Sequence, residues 1–198
     1  MDVNTLLPGV GHSIKYLDRR RVKRYIALEP NVLMHKFIRA RADEHGYSES
    51  DGSLIILSCG AEDSSSILSS LASAGVANPH PVDTIISILT LCSVPNPRRT
   101  LHHLVRDVLK SGGVFLVYEH VLSPREDVRW WQKVWAPIWK IVFDGCRMDR
   151  DTDVILKSLE LEDGNCNENA WREWKTWLEE EGPEENLFWH CIGSFVKK

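Results

Sequence analysis

The sequence predicts an α/β fold built around a mostly parallel sheet, and three observations carry that reading. Four short apolar runs, residues 25–28, 54–57, 85–91 and 114–118, are rich in Ile, Leu, Val and aromatics and lack polar alternation, which suits strands buried on both faces. Stretches of helical period lie between them, giving the strand–helix–strand rhythm of βαβ units. All eight tryptophans fall after residue 129, so the last third of the chain does a different job from the sheet-building first two thirds.

Taken in order, residues 3–7 supply a short first strand, followed by Gly9-Val10-Gly11 and a helical pattern at Ile14 and Leu17. Run 25–28 is the second strand. Residues 32–44 place Leu33 with Phe37 and Met34 with Ile38 at i,i+4, with Asn31 as N-cap and Gly46 as stop, the pattern of a helix. Leu101, Leu104, Val105, Val108 and Leu109 follow the i, i+3, i+4, i+7, i+8 template of a second helix, and Ser111-Gly112-Gly113 is expected to break it just before the next strand.

Trp130, Trp131, Trp135 and Trp139, with Val134, Ile138 and Val142, then make one apolar helical surface interrupted by Pro137, within a segment of residues 124–150. Such a stripe either packs into the core or walls an apolar acceptor pocket. Trp171, Trp174 and Trp177 fit a helix or a twisted strand, and periodicity does not decide between them. Residues 160–185 hold ten acidic side chains against two basic ones, the mark of a solvated face or loop. Residues 187–196 read as a closing strand that Gly193 weakens or bulges.

At 198 residues with 43% hydrophobic content, the chain is expected to form one domain, 1–198, with one sizeable core. A net charge of −4 leaves no global positive field for nucleic acid or an anionic membrane, so the expected partner is a small molecule. The basic run at residues 19–24 reads as a solvated turn. Five widely spaced cysteines without a CxxC pair argue against a disulfide framework and a zinc ribbon. No signal peptide and no transmembrane run is evident. A cytoplasmic protein without a metal is the expectation; the oligomeric state is left open.

Gly9 and Gly11 let the backbone approach a ligand closely, and Glu29, 20 residues after Gly9 at a strand end, can accept hydrogen bonds from ribose hydroxyls. The third glycine of a dinucleotide fingerprint would fall on Ile14, which disfavours a pyrophosphate site and points to an adenosine ligand. Ser58-Cys59-Gly60-Ala61-Glu62-Asp63 follows the third strand; its carboxylates either receive an exocyclic amine or cap the helix starting near Ser64. Cys92 and Cys146 read as buried small hydrophobes rather than nucleophiles.

Ile26-Ala27-Leu28-Glu29-Pro30-Asn31, Leu91-Cys92-Ser93-Val94, Val108-Leu109-Lys110-Ser111-Gly112-Gly113, Glu119-His120-Val121 and Phe143-Asp144-Gly145-Cys146, in this order and spacing, resemble the methyltransferase-like protein 7 family of class I S-adenosylmethionine-dependent methyltransferases, over residues 9–198. The resemblance implies a Rossmann-like, mostly parallel seven-stranded sheet with an antiparallel last strand, thiols among the acceptors, and final strands around residues 171–177 and 187–196. It implies that Gly9 and Gly11 flank the methionine part of S-adenosyl-L-methionine, that Glu29 and Pro30 lie at the ribose, that Ala61 and Glu62 frame the adenine, and that Thr90 and Leu91 end the fourth strand beside the methyl group.

His120 and Asp144 are the candidates for taking a proton from the acceptor. The sequence departs from the family at Leu7-Pro8, in the glycine loop, and at Thr5, where an acidic residue is expected. Family members carry an upstream, usually membrane-associating segment, and against that pattern the first strand is expected to be incomplete and cofactor affinity weak. The function expected is methyl transfer from S-adenosylmethionine to a small, apolar acceptor, a thiol first and a hydroxyl second. The alternatives are a non-catalytic methyltransferase-fold protein acting through interactions and, third, an NAD-dependent oxidoreductase.

Overall fold

The computed structural model describes residues 3–8, 13–76, 78–143, 145–163, 166–180 and 186–198. Its main sheet has seven strands in the order β3-β2-β1-β4-β5-β9-β8: β1 (Val3–Pro8), β2 (Val22–Leu28), β3 (Leu54–Leu57), β4 (Val82–Ile88), β5 (Leu109–His120), β8 (Trp171–Glu180) and β9 (Trp189–Lys197). The first five are mutually parallel. β9 runs antiparallel between β5 and β8, so β8 points the same way as β5. This is the seven-stranded arrangement that the resemblance implies. The central strand expected to be incomplete is paired with β2 from Val3 to Pro8 and with β4 at Thr5 and Leu6.

Alternate residues of β2 enter two separate cores, which is why its sequence shows no polar alternation. Ile26 and Leu28 join the larger one with Leu6, Ile85, Phe115, Leu101 and Trp171. Tyr25 and Ala27 join the other with Ile14, Ile38 and Tyr47. The helices that cover the sheet are α1 (His35–Glu44), α2 (Ser64–Ser73), α3 (Pro97–His103), α4 (Glu126–Val142) and α5 (Thr152–Lys157). Among the described residues no helix is long and apolar enough to cross a membrane.

Several sequence expectations are corrected in detail. The pattern at Ile14 and Leu17 makes only a 3-10 turn, Ile14–Tyr16, because Asp18 then turns the chain into β2, its carbonyl accepting the N–H groups of Arg21 and Val22. The helix expected through Leu109 is α3 followed by one π-helical turn, Leu104–Val108, and Leu109 already belongs to β5. Ser111-Gly112-Gly113 therefore sits inside the strand: Val82 pairs with Leu109 and Thr84 with Val114, so the residues between bulge out, and Gly112 supplies a φ of 73°. The run 85–91 leaves the sheet at Ile88, since Leu89 takes a left-handed φ of 51°.

Where it is described, the acidic stretch is a solvated face carried on strands, one of the two forms expected of it. It folds into the hairpin β6 (Glu160–Asp163) and β7 (Cys166–Asn169) and then the edge strand β8, with Glu160, Glu162, Glu168 and Glu173 exposed. A bulge between Trp171 and Glu173 breaks the strand's alternation. Trp171 is buried against Phe115 and Phe195, its indole N–H donating to the Leu156 carbonyl at 2.7 Å, while Trp174 and Trp177 stay half-exposed. Gly193 marks no bulge in β9, where it pairs in register with Val117 and Thr176. A Cβ there would lie 2.8 Å from the Phe195 ring, so close packing explains the glycine.

Candidate functional site

The parallel strands β2, β3 and β4 end on one side of the sheet, and the loops leaving them line an open cleft of about 310 Å³, the usual ligand position in open α/β sheets. Glu29 and Pro30 come from the end of β2, Gly60, Ala61 and Glu62 from the loop after β3, and Leu89, Thr90 and Ser93 from the loop after β4. Glu29 is held in place from both sides. Its Oε1 accepts the Asn31 N–H at 2.8 Å, and its carbonyl is 2.8 Å from the His35 imidazole. Asn31 in turn caps the following turn by accepting the Leu33 N–H, as its sequence position predicts.

After β3 the two neighbouring carboxylates divide their roles. Asp63 caps α2, accepting from the Ser66 N–H and from the hydroxyls of Ser65 and Ser66. Those bonds hold its pKa down to about 2. Glu62 is left to the cavity wall.

The loop after β4 is fastened by a residue the sequence reading passed over. Glu119 is fully buried in β5, and its Oε1 accepts from the Ser87 hydroxyl at 2.6 Å, the Thr90 N–H at 2.9 Å and the Leu91 N–H at 3.0 Å. Its Oε2 accepts from the Cys92 N–H at 3.2 Å. Burial pushes its pKa up, while these four donors oppose that shift. The signal was present: a carboxylate directly continuing the apolar run 114–118 stays in the same strand, and if buried there it needs donors.

Beneath this loop lies a second cluster. Cys92 Sγ and Cys146 Sγ are 3.5 Å apart, and Cys146 Sγ is 3.3 Å from His120 Nδ1. All three side chains are buried. The Cys92 thiol and the His120 ring pull the pKa of Cys146 down, whereas contact with Cys146 and burial push Cys92 up. The reading of both cysteines as buried holds; their pairing with His120 is new.

The structure thus brings Glu29, Pro30, Ala61, Glu62 and Thr90 around one cavity. Leu91 is buried under the loop rather than lining it, and His120 faces Cys146, with Phe188 and His190 beside its ring. Gly9, Gly11 and Asp144 lie outside the described residues. Of the four tryptophans expected to pack in the core or wall a pocket, only Trp139 is half-buried, its ring stacked on Phe143 at 3.8 Å and tilted against Phe188 at 4.8 Å. Trp130, Trp131 and Trp135 are about half-exposed, and the buried stripe is instead Val128, Gln132 and Ala136.

A parallel sheet with an antiparallel strand inserted beside its far edge, and a cavity at the carboxyl ends of its first strands, is the class I methyltransferase fold. Solved structures share it over nearly the whole chain. Geranyl diphosphate methyltransferase in complex with SAM superposes with a TM-score of 0.62 at 12% identity, covering 99% of this chain and 79% of that one. The BH2331 protein of Bacillus halodurans C-125 gives 0.61 at 12% identity, covering 98% and 90%.

Residues 6–117 match the family model described as a methyltransferase domain, and the chain belongs to that family. Among curated proteins it is similar to thiol S-methyltransferase TMT1B of Rattus norvegicus, 42% identical over 72 residues, and of Homo sapiens, 40% identical over 81 residues. These matches cover 36% and 40% of this chain and 29% and 33% of the relatives. The chain spans about a third of the length of the curated relatives it matches.

Proposed function

We propose that this protein is an S-adenosylmethionine-dependent methyltransferase of the methyltransferase-like protein 7 type, acting on a small thiol. The observation that carries the reading is the cavity itself: one carboxylate, Glu29, at the tip of β2, a second, Glu62, beyond β3, and the apolar Leu28, Pro30, Leu89, Val94 and Pro95 between them. That set of acceptors and apolar walls fits an adenosine ligand. Glu29 would receive the ribose hydroxyls, Glu62 the exocyclic amine, and the apolar side chains the faces of the base.

The cofactor supplies an electrophilic methyl group on a sulfonium when bound. What the chain supplies is position. Glu119 fixes the Thr90–Cys92 backbone beside the cavity, so the loop need not reorganise for the acceptor and the methyl to align. A thiol needs little more, since its thiolate is accessible near neutral pH. Asp144 remains the proton acceptor that the sequence motif suggests. The thiol acceptor itself is supported by the names of the curated relatives.

Calorimetric titration with S-adenosylhomocysteine tests the site. Glu29→Ala removes hydrogen bonds to a charged acceptor, so affinity is expected to fall about tenfold or more. Unchanged affinity removes Glu29 from the site, and binding of NAD in place of S-adenosylhomocysteine overturns the reading. Methyl transfer to 2-mercaptoethanol, followed as thioether formation, tests the acceptor class.

A further inference from the structure

We propose that Cys92, His120 and Cys146 form a three-ligand site for a zinc ion, adjoining the cofactor cavity on its β4 side and not part of its lining. Their ligand atoms all lie within 4.8 Å of one another, and all three residues are buried. Tetrahedral zinc with Zn–S near 2.3 Å and Zn–N near 2.0 Å sets sulfur–sulfur and sulfur–nitrogen separations of about 3.8 Å and 3.5 Å. The observed 3.5 Å and 3.3 Å need only a few tenths of an ångström of expansion. A disulfide would instead require the sulfurs to close to about 2.0 Å, a far larger movement.

The three residues come from segments that are already fixed relative to one another. Glu119 accepts the Cys92 N–H, and the Cys92 carbonyl accepts the Arg147 N–H at 3.0 Å, tying the β4 loop to the segment that carries Cys146. His120 is the last residue of β5 and pairs with His190 of β9. Such a frame keeps ligands in place before the metal arrives. Charge also balances: two thiolates and a neutral imidazole around a divalent cation make a neutral unit, which is cheaper to bury than an isolated thiolate. Among the described residues no fourth cysteine, histidine or carboxylate joins them, which leaves one coordination position to a ligand from solution, as in catalytic rather than structural zinc sites.

Ser93 connects the cluster to the cavity: its hydroxyl is 3.7 Å from Cys92 Sγ, and the same residue lines the cavity wall. Metal at this position would brace the cavity's β4 side.

The test uses the full chain, purified under reducing conditions and loaded with Zn(II) or Co(II). The expected result is about one equivalent bound, thiolate-to-Co(II) charge-transfer absorption, and a Tm raised by zinc and lowered reversibly by EDTA. Cys92→Ser and Cys146→Ser should abolish the absorption, and His120→Ala should weaken zinc binding about 10- to 100-fold. Cys59→Ser and Cys191→Ser should change neither. If a ligand variant does not fold, the wild-type chelator competition and Tm response still decide. No stoichiometric zinc, zinc binding unaltered in Cys92→Ser or Cys146→Ser, or a Cys92–Cys146 disulfide whose reduced form binds no zinc would overturn the proposal.

Discussion

Glu119 shows how much one side chain can carry. It bridges β5 to the end of β4 and to three successive backbone N–H groups, so Glu119→Ala leaves the Ser87 hydroxyl and those donors buried without an acceptor. Loss of about 3–5 kcal/mol is expected in a denaturant titration. Glu119→Gln, which keeps one carbonyl oxygen, should lose less. Asp63 gives a pH signature. Its folded-state pKa, held near 2, lies below the unfolded value of about 3.9. The stability it adds is therefore complete above that unfolded value and lost as pH falls towards 2. Asp63→Ala should lower Tm at pH 7, with the gap to wild type closing between about pH 4 and pH 2. The Asp63 and Asn31 caps were legible in the sequence because each acts within three residues of itself. The Cys92–Cys146 contact spans 54 residues and exists only once β4, β5 and the chain after α4 converge.

At the scale of elements, α4 inverts the ordinary amphipathic arrangement. Most of its bulky apolar residues face outward, Trp135 at 45%, Ile138 at 54% and Ile141 at 83% exposure, while Val128 is buried and Trp139 half-buried. The helix is anchored by Gln132, whose Oε1 accepts the Ser123 N–H and whose amide donates to the Val121 and Leu187 carbonyls. Gln132→Ala should cost about 1–3 kcal/mol, because it leaves buried backbone groups unpaired. Trp135→Ser should change stability by no more than about 0.5 kcal/mol while reducing binding of a hydrophobic dye. The helix itself was readable from its period, but the face it buries was not. A 3.6-residue pattern identifies an apolar side, and here a polar residue with three well-placed partners decides which side goes in.

At the scale of the molecule, the parallel half of the sheet was readable because its strands are buried on both faces and carry unbroken apolar runs. The antiparallel half was less so: β8 lies at the edge, is bulged, and bears charges that look like a loop. The cavity followed the parallel half, so residues at its strand ends could be named from the sequence, whereas the side-chain hydrogen bonds that Glu119 and His120 make from the end of β5 span 26 to 32 residues and could not. The order of the last two strands also governs assembly. β8 precedes β9 in the chain, yet β9 is the strand that joins it to β5. A ribosome making this protein therefore releases β8 before β9, the strand it pairs with, and Trp171, whose ring packs on Phe195 of β9, waits without part of its pocket. Strands β1 to β5 can settle early; the other edge cannot. Pulse-labelled hydrogen exchange during refolding should find β8 and β9 amides gaining protection together, and protection of β8 ahead of β9 would show that the edge forms by another route.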